Sequence, residues 1–303
     1  MQGHTMTIAR FVDAHIHLWD LNHLRYPWLT PPFSDDGPNG SVEPIASTYL
    51  PVDYRADSAD YPVEKGVHID AGAHPGDALA ETRWLQDLCD TQGLPNAIVA
   101  FAALNDPDVE KLLAAHVESP AVRGIRHIIN WHPDPRRTYT PKNLLDDDAF
   151  ARGYALLGKY NLSFDLQIYP NQMTQAYQLA RRHENIPVII NHMGMPVDQD
   201  GEGIARWKDG MRLLSSLPNV AVKISGLGFI MRPWTAEMMR PFVLETIDRF
   251  GADRSLFASD FPTDKLFNSF GHAMQAYDEI TRAFSPDERE AMFAGNAERI
   301  YRI

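Results

Sequence analysis

The 303-residue chain contains one cysteine, Cys89, and no apolar run near the roughly 20 residues that a bilayer crossing needs. A single cysteine cannot form an internal disulfide, which excludes a disulfide-stapled secreted domain. The first ten residues, MQGHTMTIAR, lack the apolar stretch of a secretory signal. The sequence therefore predicts a cytoplasmic protein with a reduced thiol.

Positive charge is also scarce in this chain. The sequence has 28 Lys and Arg against 40 Asp and Glu, which gives a formal net charge of −12 at pH 7. Such a chain has no overall positive field to gather phosphates or anionic lipids, so nucleic acid and membrane surfaces are poor partners. A small-molecule partner remains, and the sequence leaves open whether the chain forms a homo-oligomer.

Eight short apolar runs alternate with longer segments of helical periodicity. The runs are RFVDAHIHL, EKGVHIDAG, NAIVAFAAL, VRGIRHIIN, LSFDLQIY, IPVIINHMG, NVAVKISGL and SLFASDFP. Most segments between them begin with acidic or small polar residues and end with glycine or asparagine, which are helix boundary signals. Eight buried strands that alternate with helices favour a closed α/β (β/α)₈ TIM barrel over an open doubly wound sheet.

The barrel is predicted to be a single domain over residues 10–303, after a flexible N-terminal segment at residues 1–9. The link from the first run to the second, residues 18–63, is rich in Pro, Asp and aromatic residues and is predicted to be a long loop. The last segment, SPDEREAMFAGNAERIYRI, opens with a capping-box pattern from Ser285 to Glu288 and predicts a closing helix.

The candidate site begins in the first run, within VDAHIHLWD. Because alternate residues of a strand face the same side, Asp13, His15 and His17 are predicted to line one face. Active sites of such barrels form at the carboxyl ends of the strands, so polar residues late in each run are candidates. The further candidates are His68, Asp70, Arg123, Arg126, His127, Asp165, His192, Lys223, Ser225 and Asp260. Burying each without a partner would cost about 1 to 3 kcal/mol, so many should share one polar cavity.

Several of these residues have a simpler structural interpretation. His68 fits a core or rim position better than a ligand position. Lys223 either forms a structural ion pair or assists the substrate, and the sequence does not separate the two. Asp165 alternates with apolar neighbours and should face inward, where it either contacts the substrate or only orients a neighbouring residue.

The ordered motifs VDAHIHLWD, GIRH, LSFDLQIYP, INHMG, VKISG, ASDFP and GNAERIYRI resemble the amidohydrolase superfamily. The resemblance is to its branch of sugar-acid and pyrone lactonases, and it runs from about residue 10 to the C-terminus. The HxH pair alone is weak, whereas the ordered set is specific. The resemblance implies a (β/α)₈ barrel that hydrolyses small lactones such as fuconolactone, rhamnonolactone, sulfomuconolactone or pyrone dicarboxylate.

The resemblance also implies roles for four residues. Asp260, at the end of the eighth run, is implied to be the general base. His15, His17 and His192 are implied either to hold one divalent metal or to polarise the lactone carbonyl without one. Three histidines and the carboxylate of Asp260 suit a mononuclear zinc or manganese ion.

Two departures from the family pattern limit which properties of the family can be assigned to this chain. Asn191 stands where relatives commonly have an aspartate before the histidine of the sixth run. The fourth run carries Arg123 and Arg126, and no residue corresponds to the carboxylated lysine of binuclear amidohydrolases. A two-metal site is therefore not expected.

Recognition of the substrate is predicted to come from loops after the strands. Arg126 is the preferred anchor because its guanidinium can bind a carboxylate through two parallel hydrogen bonds. The other candidates are Arg123, His127, Trp131, His132, Tyr169, Tyr26 and Trp28. The basic residues could instead form a solvated edge, and the aromatic residues could simply pack their loops onto the barrel; for Trp28 packing is favoured.

The sequence thus predicts a hydrolase that opens a small lactone, of the sugar-acid or the muconolactone and pyrone type. The alternative is a metal-dependent non-oxidative decarboxylase of an aromatic or unsaturated acid. A non-catalytic binding protein is disfavoured because recognition alone has no evident need for Asp260 beside three histidines.

Overall fold

Eight parallel strands form a nearly closed barrel in the computed structural model, which describes residues 6–303. The strands are β1 Phe11–Ile16, β2 Val63–Ile69, β3 Ala97–Phe101, β4 Val122–Arg126, β5 Ser163–Leu166, β6 Val188–Ile190, β7 Val220–Ile224 and β8 Ser255–Phe257. They follow one another in the sheet in chain order. A parallel bridge between Ile16 and Phe261 joins β1 to the segment after β8. The predicted (β/α)₈ barrel is confirmed.

Helices cover the outside of the barrel and its amino end. They are α1 Pro51–Asp57, α2 Ala78–Gln92, α3 Val109–His116, α4 Asp148–Leu156, α5 Met173–Arg182, α6 Gly201–Ser215, α7 Leu227–Ile230, α8 Ala236–Phe250, α9 Phe270–Ile280, α10 Pro286–Glu290 and α11 Asn296–Tyr301. The predicted capping box is present at α10, where Ser285 N donates to Glu288 Oε2 (2.8 Å) and Glu288 N donates to Ser285 Oγ (3.3 Å). No helix within residues 6–303 has the length and apolarity needed to cross a bilayer.

The predicted loop over residues 18–63 contains short ordered elements. Single helical turns lie at Pro27–Leu29 and Glu43–Ile45, and α1 precedes β2. Residues 1–5 lie outside the described part of the chain, so the predicted division at residue 10 stays a prediction. Just before that division, Ile8 is buried and Thr7 Oγ1 donates to Asp278 Oδ1 (2.7 Å).

Between Asp13 and Ile16, strand β1 carries one more residue than the paired stretch of β2. Asp13 pairs with Gly66, whereas Ile16 pairs with His68, so three steps along β1 match two along β2. An extra residue of this kind is a β-bulge, and it changes the alternation of side chains beyond it. Val12 and Ala14 both pack in the barrel interior, in the same apolar cluster as residues of β2, β3 and β8, so the alternation changes only after Ala14.

The bulge separates Asp13 from the two histidines that follow it. Asp13 accepts hydrogen bonds from Tyr54 Oη of α1 (2.8 Å) and from Ser259 N (2.9 Å), outside the barrel interior. His15 and His17 instead turn toward the barrel mouth. The prediction that all three line one face was wrong for Asp13, because strict alternation does not hold across a bulge.

A fully buried ion pair crosses the barrel interior. Lys223 Nζ lies 2.5 Å from Asp165 Oδ1, and neither side chain is exposed to solvent. Tyr301 Oη, from α11, lies 3.1 Å from both carboxylate oxygens of Asp165, and Asn191 Nδ2 donates to Oδ1 at 3.1 Å. Burial lowers the pKa of Lys223 to about 8, although Asp165 opposes this. Lys223 is thus a structural ion-pair partner, and Asp165 orients its neighbours.

Removing one member of this pair should be costly. Lys223→Met leaves an unpaired buried carboxylate and should lower the free energy of unfolding by about 3 to 5 kcal/mol. Lys159→Met, which breaks the exposed Lys159–Glu110 pair, should cost less than about 1 kcal/mol. The double variant Lys223→Met with Asp165→Asn should regain part of the loss. Urea unfolding followed by tryptophan fluorescence measures all three, and equal losses from the two single variants would contradict the expectation.

Candidate active site

Four of the predicted site residues meet at the carboxyl end of the barrel. His15 and His17 come from the end of β1, His192 follows β6, and Asp260 follows β8. His15 Nε2 and His17 Nε2 each lie 3.2 Å from Asp260 Oδ1. The ring centroids of His15 and His192 are 4.8 Å apart. All four side chains are buried.

Two of these residues have an uncommon backbone conformation. His192 has φ 53° and Asp260 has φ 59°, in the left-handed region that non-glycine residues rarely adopt. Such conformations persist only where the surrounding structure enforces them, and they cluster at functional sites. The backbone of Asp260 is held because its N–H donates to His15 O at 2.9 Å. Gly226 lies so close to His192 that an added Cβ would come within 2.4 Å of Nδ1.

The hydrogen bonds of His17 assign its tautomer. His17 Nδ1 lies 2.7 Å from Ile69 O, which can only accept, so Nδ1 carries the proton. In the neutral ring, Nε2 then carries a lone pair, which faces Asp260 Oδ1, another hydrogen-bond acceptor. Two acceptors at 3.2 Å require a proton or a cation between or beside them. The contact between His17 Nε2 and Asp260 Oδ1 is therefore favourable only when a proton or a cation lies at this position.

His15, His192 and Asp260 fit one divalent ion. One ligand atom from each lies within 4.8 Å of the others, and among residues 6–303 this is the group with the composition of a metal site. His15 Nδ1 and Asp260 Oδ2 are buried without a hydrogen-bond partner among the described residues. Two imidazoles and one carboxylate are a common donor set for zinc. His17, the fourth predicted ligand, is not a member of this group.

The two imidazoles of this group are held in the neutral form that metal binding requires. Burial, with Lys223 and neighbouring cationic groups, keeps the pKa of His15 well below its usual value. Burial lowers the pKa of His192 to about 4, although Asp260 opposes the shift. His192 Nδ1 also lies 3.0 Å from Ser225 Oγ, which can accept its proton and leave Nε2 free for the site.

Arg126 lies beside this group and is fixed by several partners. Its Nη2 donates to Asp70 O and its Nη1 to Gln167 Oε1 (3.1 Å), while Nε lies 3.4 Å from Asp70 Oδ2. Arg126 Nη1 is also 3.5 Å from His15 Nε2, so the guanidinium and a metal would compete for that lone pair. The site can therefore polarise a ligand through the guanidinium as well as through an ion.

A cavity of about 290 Å³ opens above these residues. This is near the lower end of ligand-binding pockets, so the cavity suits a small molecule. His17, Arg126, His192 and Asp260 line it together with Trp28, whose Nε1 donates to Ala71 O at 2.8 Å. Trp28, for which packing was favoured, is thus both packed and part of the cavity wall.

Two predicted substrate-binding residues lie away from the cavity. Arg123, near the amino end of β4, donates from Nη1 to Val122 O (3.0 Å) and to Pro120 O. His127 packs between Phe101 and Phe150, and its Nδ1 accepts from Leu104 N. Both predictions were wrong, because residues at odd spacing from the inward-facing Arg126 point to the outside of the barrel.

The remaining predicted residues occupy loops around the mouth. Trp131 is held through its main chain, by Gln172 and Asn171, and is not among the residues that line the cavity. Tyr169 lines a second, adjoining cavity. Tyr26 is buried and donates to Glu81 Oε1 at 2.9 Å, and His132 Nε2 lies 3.6 Å from Asp198 Oδ2. His68 accepts from Leu18 N, which matches its structural interpretation.

Some cavity residues were not predicted. Gln167 lies two positions after Asp165, and strand alternation could have placed it on the same face. The others include Asn39 and Tyr139 from loops, Phe229 from α7 and Thr263 from the helical turn after β8. No local pattern in the sequence indicates their position.

Comparisons with known proteins agree with this fold. A family model described as Amidohydrolase matches residues 12–303. The uncharacterized protein y4mH of Sinorhizobium fredii is 40% identical over 98% of this chain and 100% of its own length. An L-fucono-1,5-lactonase of Burkholderia multivorans is 26% identical, with 96% of each chain covered. An amidohydrolase structure from Burkholderia multivorans with bound zinc has a TM-score of 0.79 and 25% identity, and covers 97% of this chain and 100% of that one.

The buried position of His127 predicts a pH effect on stability. Burial lowers the pKa of its imidazole from 6.5 to about 4, so the unfolded chain binds more protons between these values. The stability that this residue contributes is present above pH 6.5 and is lost as the pH falls toward 4. The shift corresponds to about 3 kcal/mol.

The matched variant is His127→Asn, whose Oδ1 takes the place of Nδ1 as the acceptor for Leu104 N. From pH 7 to pH 4, the wild type should lose up to about 3 kcal/mol more unfolding free energy than the variant. Denaturant unfolding at each pH measures the difference. Parallel pH curves for the two proteins would contradict the expectation.

Proposed function

We propose that this chain, which belongs to the amidohydrolase family, hydrolyses small lactones with Asp260 as its general base. The observation that carries the proposal is the environment of the Asp260 carboxylate on the cavity wall. Its Oδ1 faces two imidazoles, whereas its Oδ2 has no hydrogen-bond partner among residues 6–303. Oδ1 therefore lies against the imidazoles, and Oδ2 is free to accept a proton.

The comparisons support a lactone substrate. Two L-fucono-1,5-lactonases, at 26% and 28% identity, align over almost their whole length with this chain. The cavity is small, and its aromatic walls can exclude water from a bound ring. Lactone hydrolysis needs an activated water, a polarised carbonyl and a proton for the departing oxygen, and each need can be assigned to a residue.

In the proposed mechanism, Asp260 Oδ2 takes a proton from a water molecule as that water attacks the lactone carbonyl. The carbon–oxygen bond of the ring then breaks, and Asp260 returns the proton to the alkoxide that leaves. Because a lactone is cyclic, the acid and the alcohol remain parts of one product molecule. The same carboxylate can serve both steps, since the leaving oxygen stays close to it.

The carbonyl oxygen is proposed to lie near Arg126, where its developing negative charge meets a fixed cation. One of the two Nη2 hydrogens of Arg126 has no partner among the described residues. A divalent ion held by His15, His192 and Asp260 would supply Lewis acidity and lower the pKa of an attacking water. His17, whose ring is held by Ile69 O, lies beside Asp260 Oδ1 in either case.

Replacing the proposed base provides the main test. Asp260→Asn should remain folded and lose turnover by about 10²- to 10⁴-fold, because the amide cannot accept the proton. Asp209→Asn, an exposed aspartate on α6, is the matched control and should hydrolyse lactones like the wild type. A panel of aldonolactones and muconolactone-type compounds, followed by acid release, measures this. Full activity of Asp260→Asn would remove the proposed base, and release of carbon dioxide from an aromatic acid instead of lactone opening would favour decarboxylation.

Metal binding is tested separately from activity. Chelator-treated protein should bind about one zinc ion per chain in a calorimetric titration, and His15→Asn should weaken that binding markedly. Chelation should not unfold the protein, because the barrel core is built without the ligand residues. Global unfolding on chelation, or equal zinc binding by His15→Asn, would contradict this assignment.

A further inference from the structure

A second cavity, of about 230 Å³, adjoins the one above Asp260. The two cavities share Tyr139 and Phe229 as walls. A substrate ring in the first cavity could therefore extend a substituent past these two side chains into the second. The second cavity is lined by Arg137 and Arg232, so its chemistry differs from that of the first.

The guanidinium of Arg232 is fixed in the wall of this second cavity. Its Nε donates to Gly228 O (2.8 Å), Nη1 to Asn39 O (3.1 Å) and Nη2 to Pro38 O (3.0 Å). The ring of Phe267 stacks on it, with 4.4 Å from the guanidinium carbon to the ring centroid. Three of the five N–H donors are used, and one on each terminal nitrogen remains.

The charge of Arg232 has no direct counter-ion. No carboxylate of residues 6–303 lies within ion-pair distance of it, and its three partners are neutral carbonyls. Arg137 in the same cavity is paired with Asp198. Burial accordingly lowers the pKa of Arg232, since desolvation penalises its charge. An exposed but oriented guanidinium with no carboxylate within ion-pair distance is favourable for binding an anion from outside.

We infer that the second cavity is a subsite for an anionic substituent, a carboxylate or a phosphate, of the lactone substrate, and that Arg232 binds it. The inference rests on the proposed lactone hydrolysis and narrows its substrate class. The reacting carbonyl lies in the first cavity beside Arg126 and Asp260, and the anion lies beyond Tyr139 and Phe229. Neutral sugar lactones are then the poorer substrates.

The test compares lactones that differ in charge. The probes are D-glucono-1,5-lactone, its 6-phosphate, and a lactone of D-glucaric acid, so that phosphate and carboxylate are judged separately. For the wild type, kcat/KM should be higher for at least one anionic lactone than for the neutral one, mainly through KM. The preference should weaken when sodium chloride is raised from 0.05 to 0.5 M.

Variants of Arg232 distinguish the effect of its charge from its structural role in holding the loop at residues 38 and 39. Arg232→Gln is neutral, and its Nε2 can take the place of Nε and donate to Gly228 O; it should reduce the ratio of anionic to neutral kcat/KM at least tenfold. Arg232→Lys should keep most of the ratio, and Arg212→Gln, at an exposed position on α6, should leave it unchanged. If Arg232→Gln lowers both substrates equally, Arg232 only holds the loop and the inference is overturned.

Equilibrium binding distinguishes a failure of the subsite from a failure of the proposed function. Tryptophan fluorescence can follow the binding of 6-phosphogluconate, glucarate and gluconate without any turnover. At least one of the two probes with a second anionic group, 6-phosphogluconate or glucarate, should bind at least tenfold more weakly to Arg232→Gln. Binding of gluconate, which carries only the carboxylate formed from the lactone carbonyl, should be unchanged. If lactones are not hydrolysed but this difference is found, the proposed reaction is wrong and the subsite stands. Equal binding by both proteins overturns the subsite.

Discussion

The closure of the barrel between its first and last strands is the contact on which the site depends. His17 N donates to Phe261 O at 2.8 Å and Asp260 N donates to His15 O at 2.9 Å. These two main-chain bonds set the register between the end of β1 and the segment after β8. They therefore also fix the 3.2 Å contacts of both imidazoles with the Asp260 carboxylate. Side chains 243 positions apart in the chain are brought together by peptide groups rather than by their own attraction.

Below this contact, the barrel interior supplies a rigid polar support. Asp165 binds Lys223, Tyr301 and Asn191 at once, so its carboxylate connects strands β5 and β7 with the residue before His192 and with the last helix. Buried charges are rarely stabilising on balance, but a fully partnered group defines one arrangement of its neighbours. The cationic Lys223 also disfavours a charged His15, so the same pair shapes the electrostatics of the mouth.

The architecture and the centre of the site were predictable from local sequence. Alternating apolar runs and helical segments define a barrel because burial periodicity depends only on neighbouring residues. His15, His17, His192 and Asp260 could be identified because each ends such a run. The position of Asp13 could not, since a bulge depends on which residue of β2 it pairs with. Alternation counted from Arg126 would have placed Arg123 and His127 outside.

The loop residues could not be predicted for a different reason. Tyr139 and Asn39 are 100 positions apart, yet Tyr139 Oη donates to Asn39 Oδ1 at 2.8 Å. Contacts of this kind exist only after the long first loop has folded over the mouth, and no local pattern records them. Substrate selectivity therefore depends on tertiary contacts, whereas the reaction centre depends on strand ends.

The three hydrogen bonds of Arg232 to main-chain carbonyls connect the first loop, which covers the mouth of the barrel, with the helical turn that follows β7. An insertion in either segment would displace the other, because one side chain spans the gap between them. Changes of ligand preference among descendants of this protein would then require paired alterations in two distant stretches of the gene. A single substitution in one loop would disturb the hydrogen bonds of Arg232 before it could change the shape of the cavity.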